Sequence, residues 1–366
     1  MQLYRHHSGV PAEGRGAVVA IGNFDGVHRG HQALLEIART KARELDAPLG
    51  VVTFEPHPRL FFQPDQAPFR LTAFRTKARL LQTLGVERLY CLPFTRKLAS
   101  LEATDFVTEV LARGLGLRHV VVGDNFRFGR KRGGDTALLT HAGELAGFGT
   151  TVVERVGGSI SEAYSSTQVR SYLTDGNPTR AALMLGRYWE IEGRVRHGAK
   201  RGRALGFPTA NIALRSNLIR PAYGVYAVRA TLEDDAVTED DTDAKRVSKT
   251  GDKQRDDDDG ARVWLPGVAN LGIAPMYGYD EPLLETYLFD YSGNLYGRHL
   301  RIALVDYLRP EQRFENVEAL MAQMSTDCEK ARQTLVWENW RGDWPAGPFL
   351  RRGAPFDDAL TPTSGG

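Results

Sequence analysis

The sequence predicts two joined architectures: an α/β half with a doubly wound parallel sheet, then a small antiparallel β-barrel closed by a helix. Three observations carry this. Apolar runs alternate with amphipathic segments as far as Val153, the pattern of strands joined by crossover helices. From Tyr188 on, segments turn short, β-rich and punctuated by Gly and Pro, as in small barrels. A chain of 366 residues is long for one core and comfortable for two domains.

In the first half, Ala17–Ile21 reads as a buried strand followed by a loop. His31–Leu45 has helical spacing at Leu34, Leu35, Ile37, Ala38 and Ala42. Gly50–Phe54 is a second strand, and Thr72–Leu84 a helix with Ala78, Leu80, Leu81 and Leu84 apolar. Leu89–Leu92 is a short strand. Thr104–Gly114 is a helix with Thr104 as its cap. His119–Val122 is a strand, His141–Gly147 a helix and Thr150–Val153 a strand.

The turn Asp175–Thr179 and the helix after it mark the junction, so the domains are expected at 1–184 and 185–341. The barrel strands lie in IEGRVRHG, GVYAVRA, GVANLGI, LLETYLFDY and LRIALVDYL. Val317–Leu335 closes the barrel, with Val317, Leu320, Met321, Met324, Cys328 and Ala331 on one apolar face. Residues 231–260 have almost no apolar content and read as a disordered insertion between two barrel strands. Residues 342–366 read as a flexible tail.

Composition narrows the function. The longest apolar runs fall far short of a membrane span, and the N-terminus has no apolar stretch of the secretory kind. Cys91 and Cys328 make no disulfide framework, so a cytoplasmic protein with two buried thiols is expected. The net charge is +2, yet residues 231–260 hold twelve acidic and five basic residues, a balance of −7. The remainder therefore carries +9, which suits anionic ligands such as nucleotides. No basic cluster with interleaved aromatics points to nucleic acid. A homo-oligomer is compatible with the sequence.

Two stretches carry chemistry. In GNFDGVHRGH (22–31), a strand ends in glycines flanking polar residues and a helix follows. Gly22 and Gly26 permit a tight turn and close approach to phosphate. The helix start offers free N–H groups to an anion. His28 and His31, three apart, can reach one phosphate, which suits transfer at an α-phosphate by positioning and electrostatics. The second stretch is RGRALGFPTANI (201–212), where Thr209 and Asn211 alternate with Ala210 in extended geometry. Their oxygens are hard donors, suited to Mg²⁺ held with ATP phosphates. Gly198, Gly202 and Gly206 give that loop freedom, and Lys200, Arg201 and Arg203 give it positive charge.

These residues carry a resemblance. GNFDGVHRGH resembles the His-x-Gly-His nucleotidyltransferase motif in the form found in bacterial bifunctional riboflavin kinase/FAD synthetases. A histidine between prolines after a strand is by itself more often a loop residue, but TFEPHPRLFF (53–62), which holds His57 in that setting, resembles that family's second block. VVGDNFRFG (121–129) resembles the flavin-side block; the family implies that Asn125 contacts nucleotide or flavin, while Phe126 and Phe128 either stack or fill core. YSSTQVR (164–170) resembles the motif that completes the adenylyl-transfer site. There Ser165, Ser166 and Thr167 offer hydroxyls at a helix start, and Arg170 a fork for phosphate.

In the second half, the Gly206–Asn211 block resembles that of riboflavin kinases and adds Pro208 to the nucleotide-binding set. ETYLFDYSGNLYG (285–297) resembles the block of the kinase's catalytic acid. In a strand, Glu285, Tyr287 and Phe289 share a face, and a carboxylate among aromatics is raised in pKa towards use as a base. GVANLGIAPMY (267–277) keeps Asn270 but carries Ala274 and Met276 where relatives often differ. The resemblance implies ATP-dependent phosphorylation of riboflavin to FMN, then adenylylation of FMN to FAD with release of pyrophosphate. It implies ATP and Mg²⁺ at both sites, with flavins as substrate and product. It also implies Gly22, Asn23, Phe24, Asp25 and Gly26 as nucleotide contacts. The rival readings are a single active half, most plausibly the synthetase, or a non-catalytic flavin-binding regulator.

Overall fold

The computed structural model describes residues 1–154, 164–196, 208–233, 263–273 and 281–335. The chain divides into two compact units between Ser166 and Thr167.

The first unit is built on a parallel sheet. Its strands are β1 (Gln2–Tyr4), β2 (Val18–Ile21), β3 (Leu49–Glu55), β4 (Arg88–Pro93), β5 (His119–Gly123) and β6 (Gly149–Val153). The order is β1-β4-β3-β2-β5-β6, with parallel pairing throughout. Both faces are covered, which explains the unbroken apolar strands. In β2, Val18 and Ala20 enter one core, while Val19 and Ile21 enter the other. On the first face lie α1 (Arg29–Glu44), with Leu34, Leu35 and Ala38 buried, and α3 (Phe74–Thr83), with Leu80 and Leu81 buried. The second face takes the helix Phe106–Gly114 and α6 (Thr136–Ala146) through Val107, Val110, Leu111 and Leu139. Short helices α2 (Pro58–Phe62), α4 (Arg96–Ala99) and α5 (Ala103–Asp105) fill the connections.

Several boundaries differ from expectation, each for a local reason. Strand β1 has no sequence signature because it is a short edge strand with Gln2 and Leu3 exposed; Tyr4 stacks on Tyr90 at 5.3 Å. Helix α3 starts at Phe74, because Thr72 is held by the Asp25 carboxylate instead. Thr104 does not cap its helix. Helix α5 begins at Ala103 after Glu102, with no side-chain cap bond. Helix α6 begins before His141, at Thr136, where the Asp135 carboxylate accepts from the Leu138 N–H at 2.9 Å.

The second unit contains α7 (Ser166–Thr174, whose first residue falls in the first unit) and α8 (Pro178–Leu185). Then follow β7 (Trp189–Arg194), β8 (Thr209–Ala213), β9 (Gly224–Leu232), β10 (Leu265–Gly272), β11 (Leu283–Leu288) and β12 (His299–Pro310). Helix α9 (Val317–Leu335) ends the described chain. The sheet is antiparallel in the order β7-β12-β9-β10-β11-β8. It curls until its edges meet: just past β7, the Arg196 N–H donates to the Asn211 carbonyl at 2.9 Å. The division falls before α8, which packs its apolar face on β7 and β12.

Strands β9 and β10 are neighbours, so the acidic stretch joins adjacent strands. Its first residues, Thr231 and Leu232, belong to β9; residues 234–262 lie outside the described residues, as does the tail 342–366. The apolar face of α9 is less continuous than expected. Val317 and Met321 are exposed, whereas Ala331 and Leu335 are buried. The helix is held further on by Asp327, which takes the Arg309 guanidinium at 2.7 Å. Cys91 is buried, but Cys328 is only half-buried, against the expectation for both thiols. Among the described residues, no helix is long and apolar enough to cross a membrane.

Candidate functional sites

In the first unit, β3, β4 and β1 lie to one side of β2, and β5 and β6 to the other. The point where an open α/β sheet reverses its winding leaves a crevice at the carboxyl ends of the strands. The loop Gly22–His28 leaves β2 at that point. Its turn uses left-handed backbone at Phe24 (φ 49°), Gly26 (φ 84°) and Val27 (φ 47°), strain that persists only when surroundings enforce it.

The enforcement is visible. The Asp25 carboxylate accepts from the N–H groups of Leu71 (3.0 Å) and Thr72 (3.1 Å). The Gly26 N–H donates to the Thr72 hydroxyl, and the Ser166 hydroxyl donates to the Asp25 carbonyl at 2.8 Å. Phe24 is wholly buried, with its ring 4.9 Å from that of His31. Phe24, Asp25 and Gly26, expected as ligand contacts, therefore brace the corner from inside.

His28 ends the loop as the N-cap of α1, its Nδ1 accepting from the His31 N–H. The two imidazoles stack at 3.7 Å. His31 Nδ1 is buried and has no hydrogen-bond partner among the described residues. Burial holds the His31 pKa well below 6.5, helped by the charges of His28 and Lys77. A neutral imidazole with an open ring nitrogen can donate to, or accept from, a ligand oxygen.

Beside the corner lies a cavity of about 600 Å³. Gly22, Asn23, His57 and Asn125 line it, as do Phe54, Phe62, Phe94, Phe106, Phe126 and Phe128. Phe126 and Phe128 stack on each other at 5.4 Å and line the cavity, Phe128 as part of the core beneath it. His57 is fixed as the N-cap of α2, its Nδ1 accepting from the Arg59 N–H at 3.1 Å. An aromatic-walled pocket with a few polar groups suits a flat heteroaromatic ligand. Thr167 and Arg170 follow on α7, past the division between units.

Sequence reasoning missed the buried polar group under this corner: Thr53, Glu55, Arg70 and Lys77. Arg70 and Glu55 form a bidentate pair at 2.6 and 2.7 Å. Burial alone would raise the Glu55 pKa, but Arg70 and Lys77 bring it below the ordinary value. One signal was available. Lys77 lies three and four residues before Leu80 and Leu81, on the apolar face of its helix.

In the second unit, β8, β11 and β10 bring three polar residues into one row. Asn211 pairs with Glu285, and Glu285 with Asn270. Directly opposed residues share a face, so all three point to the same side. Thr209 and Tyr287 form the next row on that side. The alternate residues Ala210, Ile212, Leu284, Thr286, Ala269 and Leu271 are buried on the other side. Glu285 has no hydrogen-bond or ion-pair partner among the described residues, and burial raises its pKa. Asn211 is 5% exposed and its Oδ1 has no partner among the described residues. The Asn270 amide donates to Glu311 at 3.4 Å. Strand β11 ends at Leu288; Phe289 follows it, buried, with its ring edge-on to Tyr287 and beneath Arg332. Pro208 is exposed just before β8. Gly206, Gly198, Gly202, Lys200, Arg201, Arg203, Ala274 and Met276 lie outside the described residues.

A histidine-bearing glycine corner at the switch point of a doubly wound sheet defines a nucleotide-handling domain, here joined to a barrel with a carboxylate set among oxygen donors. Comparison with known proteins makes this specific. The family model for FAD synthetase matches residues 10–168, and that for riboflavin kinase matches 185–335. The bifunctional riboflavin kinase/FMN adenylyltransferase of Pseudomonas fluorescens is 41% identical over 91% of this chain and 97% of its own. Its namesake in Escherichia coli K12 is 40% identical over 91% and 97%. The chain belongs to the bifunctional riboflavin kinase/FMN adenylyltransferase family. A crystal structure titled as a macrolide-efflux protein from Streptococcus pneumoniae has the same fold, with a TM-score of 0.74 at 26% identity over 90% of this chain and 98% of that one.

Proposed function

We propose that this chain makes FAD from riboflavin in two steps, one in each unit. The barrel phosphorylates riboflavin with ATP to give FMN. The parallel-sheet unit then joins FMN to the AMP part of a second ATP, releasing pyrophosphate. The observation that carries the reading is that each unit has its own convergent polar set, a histidine pair in one and a desolvated carboxylate in the other.

In the barrel, Glu285 accepts the proton of the ribityl 5′-hydroxyl as that oxygen attacks the γ-phosphorus and ADP leaves. A base with a raised pKa and no competing partner among the described residues suits that step. Thr209 and Asn211 would hold Mg²⁺ with the ATP phosphates. Asn211 Oδ1 is a buried oxygen without a partner among the described residues, and hard oxygen donors are what Mg²⁺ takes. The ion would neutralise charge on the transferring phosphates. Asn270, Pro208 and Gly206 complete the nucleotide and flavin contacts.

In the first unit, a phosphate oxygen of FMN attacks the α-phosphorus of ATP, and pyrophosphate departs without a covalent enzyme intermediate. His28 and His31 stabilise charge on the transferring and departing phosphates. Gly22 and Asn23 bound the phosphate corner, while Asn125, His57 and the phenylalanines take the flavin. Ser165 and Ser166 close the ATP side. The chain works in the cytoplasm as a soluble enzyme, on small molecules and not on nucleic acid or membrane. A homo-oligomer fits this scheme as well as a monomer does.

The test is direct. Incubation with riboflavin, ATP and Mg²⁺, followed by chromatography of the flavins, should show FMN and then FAD. Unchanged riboflavin would support a flavin-binding regulator; conversion only of supplied FMN would support a synthetase with a silent kinase half.

A further inference from the structure

Lys77 is 1% exposed, on the sheet-facing side of α3. A lysine ammonium has three donors, and here each has an acceptor: the Asn23 carbonyl at 3.2 Å, the Thr53 hydroxyl at 3.2 Å and Glu55 Oε1 at 3.1 Å. The Thr53 hydroxyl also donates to the Asn23 carbonyl at 3.2 Å. Asn23 itself is exposed and lines the cavity. Its backbone is thus held from below by a buried cation while its upper side meets the ligand space.

The same cation reaches the other wall. Glu55 ends β3, and His57, two residues on, lines the cavity. Arg70 grips Glu55, and the next two residues, Leu71 and Thr72, hold Asp25. One continuous buried network therefore runs from Asp25 in the corner to the exit of β3. A solvated surface lysine would do none of this, and burying an ammonium is unfavourable until its partners offset the lost hydration.

We propose that Lys77 is a positioning residue for adenylyl transfer. By pinning the Asn23 carbonyl to Thr53 and Glu55, it fixes the histidine corner after β2 against the flavin wall after β3. It does not touch the reacting atoms. This rests on the adenylyl-transfer reading of the corner. It makes Lys77 a determinant of how donor and acceptor are aligned, so its loss should appear in turnover more than in flavin affinity. A misplacement of about 1 Å costs on the order of 100-fold in rate.

The experiment uses the full chain and its Lys77→Met and Thr53→Val variants. FAD formation from supplied FMN gives kcat and KM, flavin fluorescence gives FMN affinity, and riboflavin phosphorylation is the internal control. We expect Lys77→Met to lower adenylyl-transfer kcat by about 100-fold, with FMN affinity within about threefold of the parent. Thr53→Val, which removes one of the two donors to Asn23, should lower kcat by about tenfold. Kinase activity should be unchanged in both. A Lys77→Met protein with parental kcat overturns the inference, as does one whose entire loss is in FMN affinity. If Lys77→Met does not fold, Thr53→Val decides, and parental kcat in that variant overturns the inference. Failure of the reading beneath it looks different: the parent itself would then make no FAD.

Discussion

The two units solve opposite problems with their polar groups. Around the histidine corner most polar groups of the brace are satisfied within it, Arg70 Nε and His31 Nδ1 being buried without a partner among the described residues. Asp25, Thr72, Lys77, Thr53, Glu55 and Arg70 bond to one another, and a strained loop is locked in place. On the barrel, Glu285 and the Asn211 oxygen are left without partners among the described residues. On the proposed reading, transfer at an α-phosphate without proton abstraction needs fixed geometry, which a braced corner provides. On the same reading, phosphorylating a neutral hydroxyl calls for a base and a metal, which groups without partners would supply.

The sharpest way to break this comparison is to remove one group from each unit. Glu285→Gln keeps shape and loses the base. It should lower riboflavin phosphorylation by on the order of 10³-fold, and FAD formation from supplied FMN should persist. His28→Asn keeps a capping side chain for α1 and loses the imidazole. It should lower FAD formation by on the order of 10²–10³-fold while FMN accumulates. Chromatographic assay of both products settles each case. If either variant loses both activities equally, the two units do not act as separate sites.

A smaller effect should separate metal binding from base catalysis. Asn211→Ala removes a buried oxygen that has no partner to strand among the described residues, so the fold should tolerate it. We expect kinase activity to fall by about 10–100-fold, the range seen when one contact in a metal's environment is lost. Excess Mg²⁺ should restore part of it. A loss that Mg²⁺ titration does not move would remove Asn211 from the metal site.

Much of this was legible in the sequence, because each motif is local. His28 and His31 sit one helical turn apart, and Thr209 and Asn211 share a strand face by simple alternation. Strand–helix alternation likewise revealed the parallel sheet. What could not be read is whatever depends on distant pairing. Nothing near Asp25 announces that Leu71 and Thr72 will satisfy it. Phe24, a nucleotide contact by resemblance, sits at left-handed backbone with its ring buried in the core, which a polar loop sequence does not announce. The row Asn211–Glu285–Asn270 needs the register of three strands far apart in the chain. For Lys77 the one local signal is a charge in an apolar stripe, which shows burial but not the partners Asn23, Thr53 and Glu55.

The least expensive way to sharpen the contrast is a pair of pH profiles, where the effects are a few-fold. Burial raises the Glu285 pKa, and the base works only when deprotonated. Kinase activity should therefore fall as pH drops through that raised value, above the ordinary glutamate value of about 4.3. Residual activity in Glu285→Gln should lack this acid limb. His31 is shifted the other way, chiefly by burial, with the charges of His28 and Lys77 adding to it. It should stay neutral through pH 6.5 and contribute no limb near there. His31→Gln should accordingly lose adenylyl-transfer rate without changing the shape of the profile between about pH 6 and 8. If the parent has a limb near 6.5 that His31→Gln abolishes, His31 is titrating in water-like surroundings. The closed, braced corner would then be the wrong picture of the first unit, and the contrast with the barrel would fall with it.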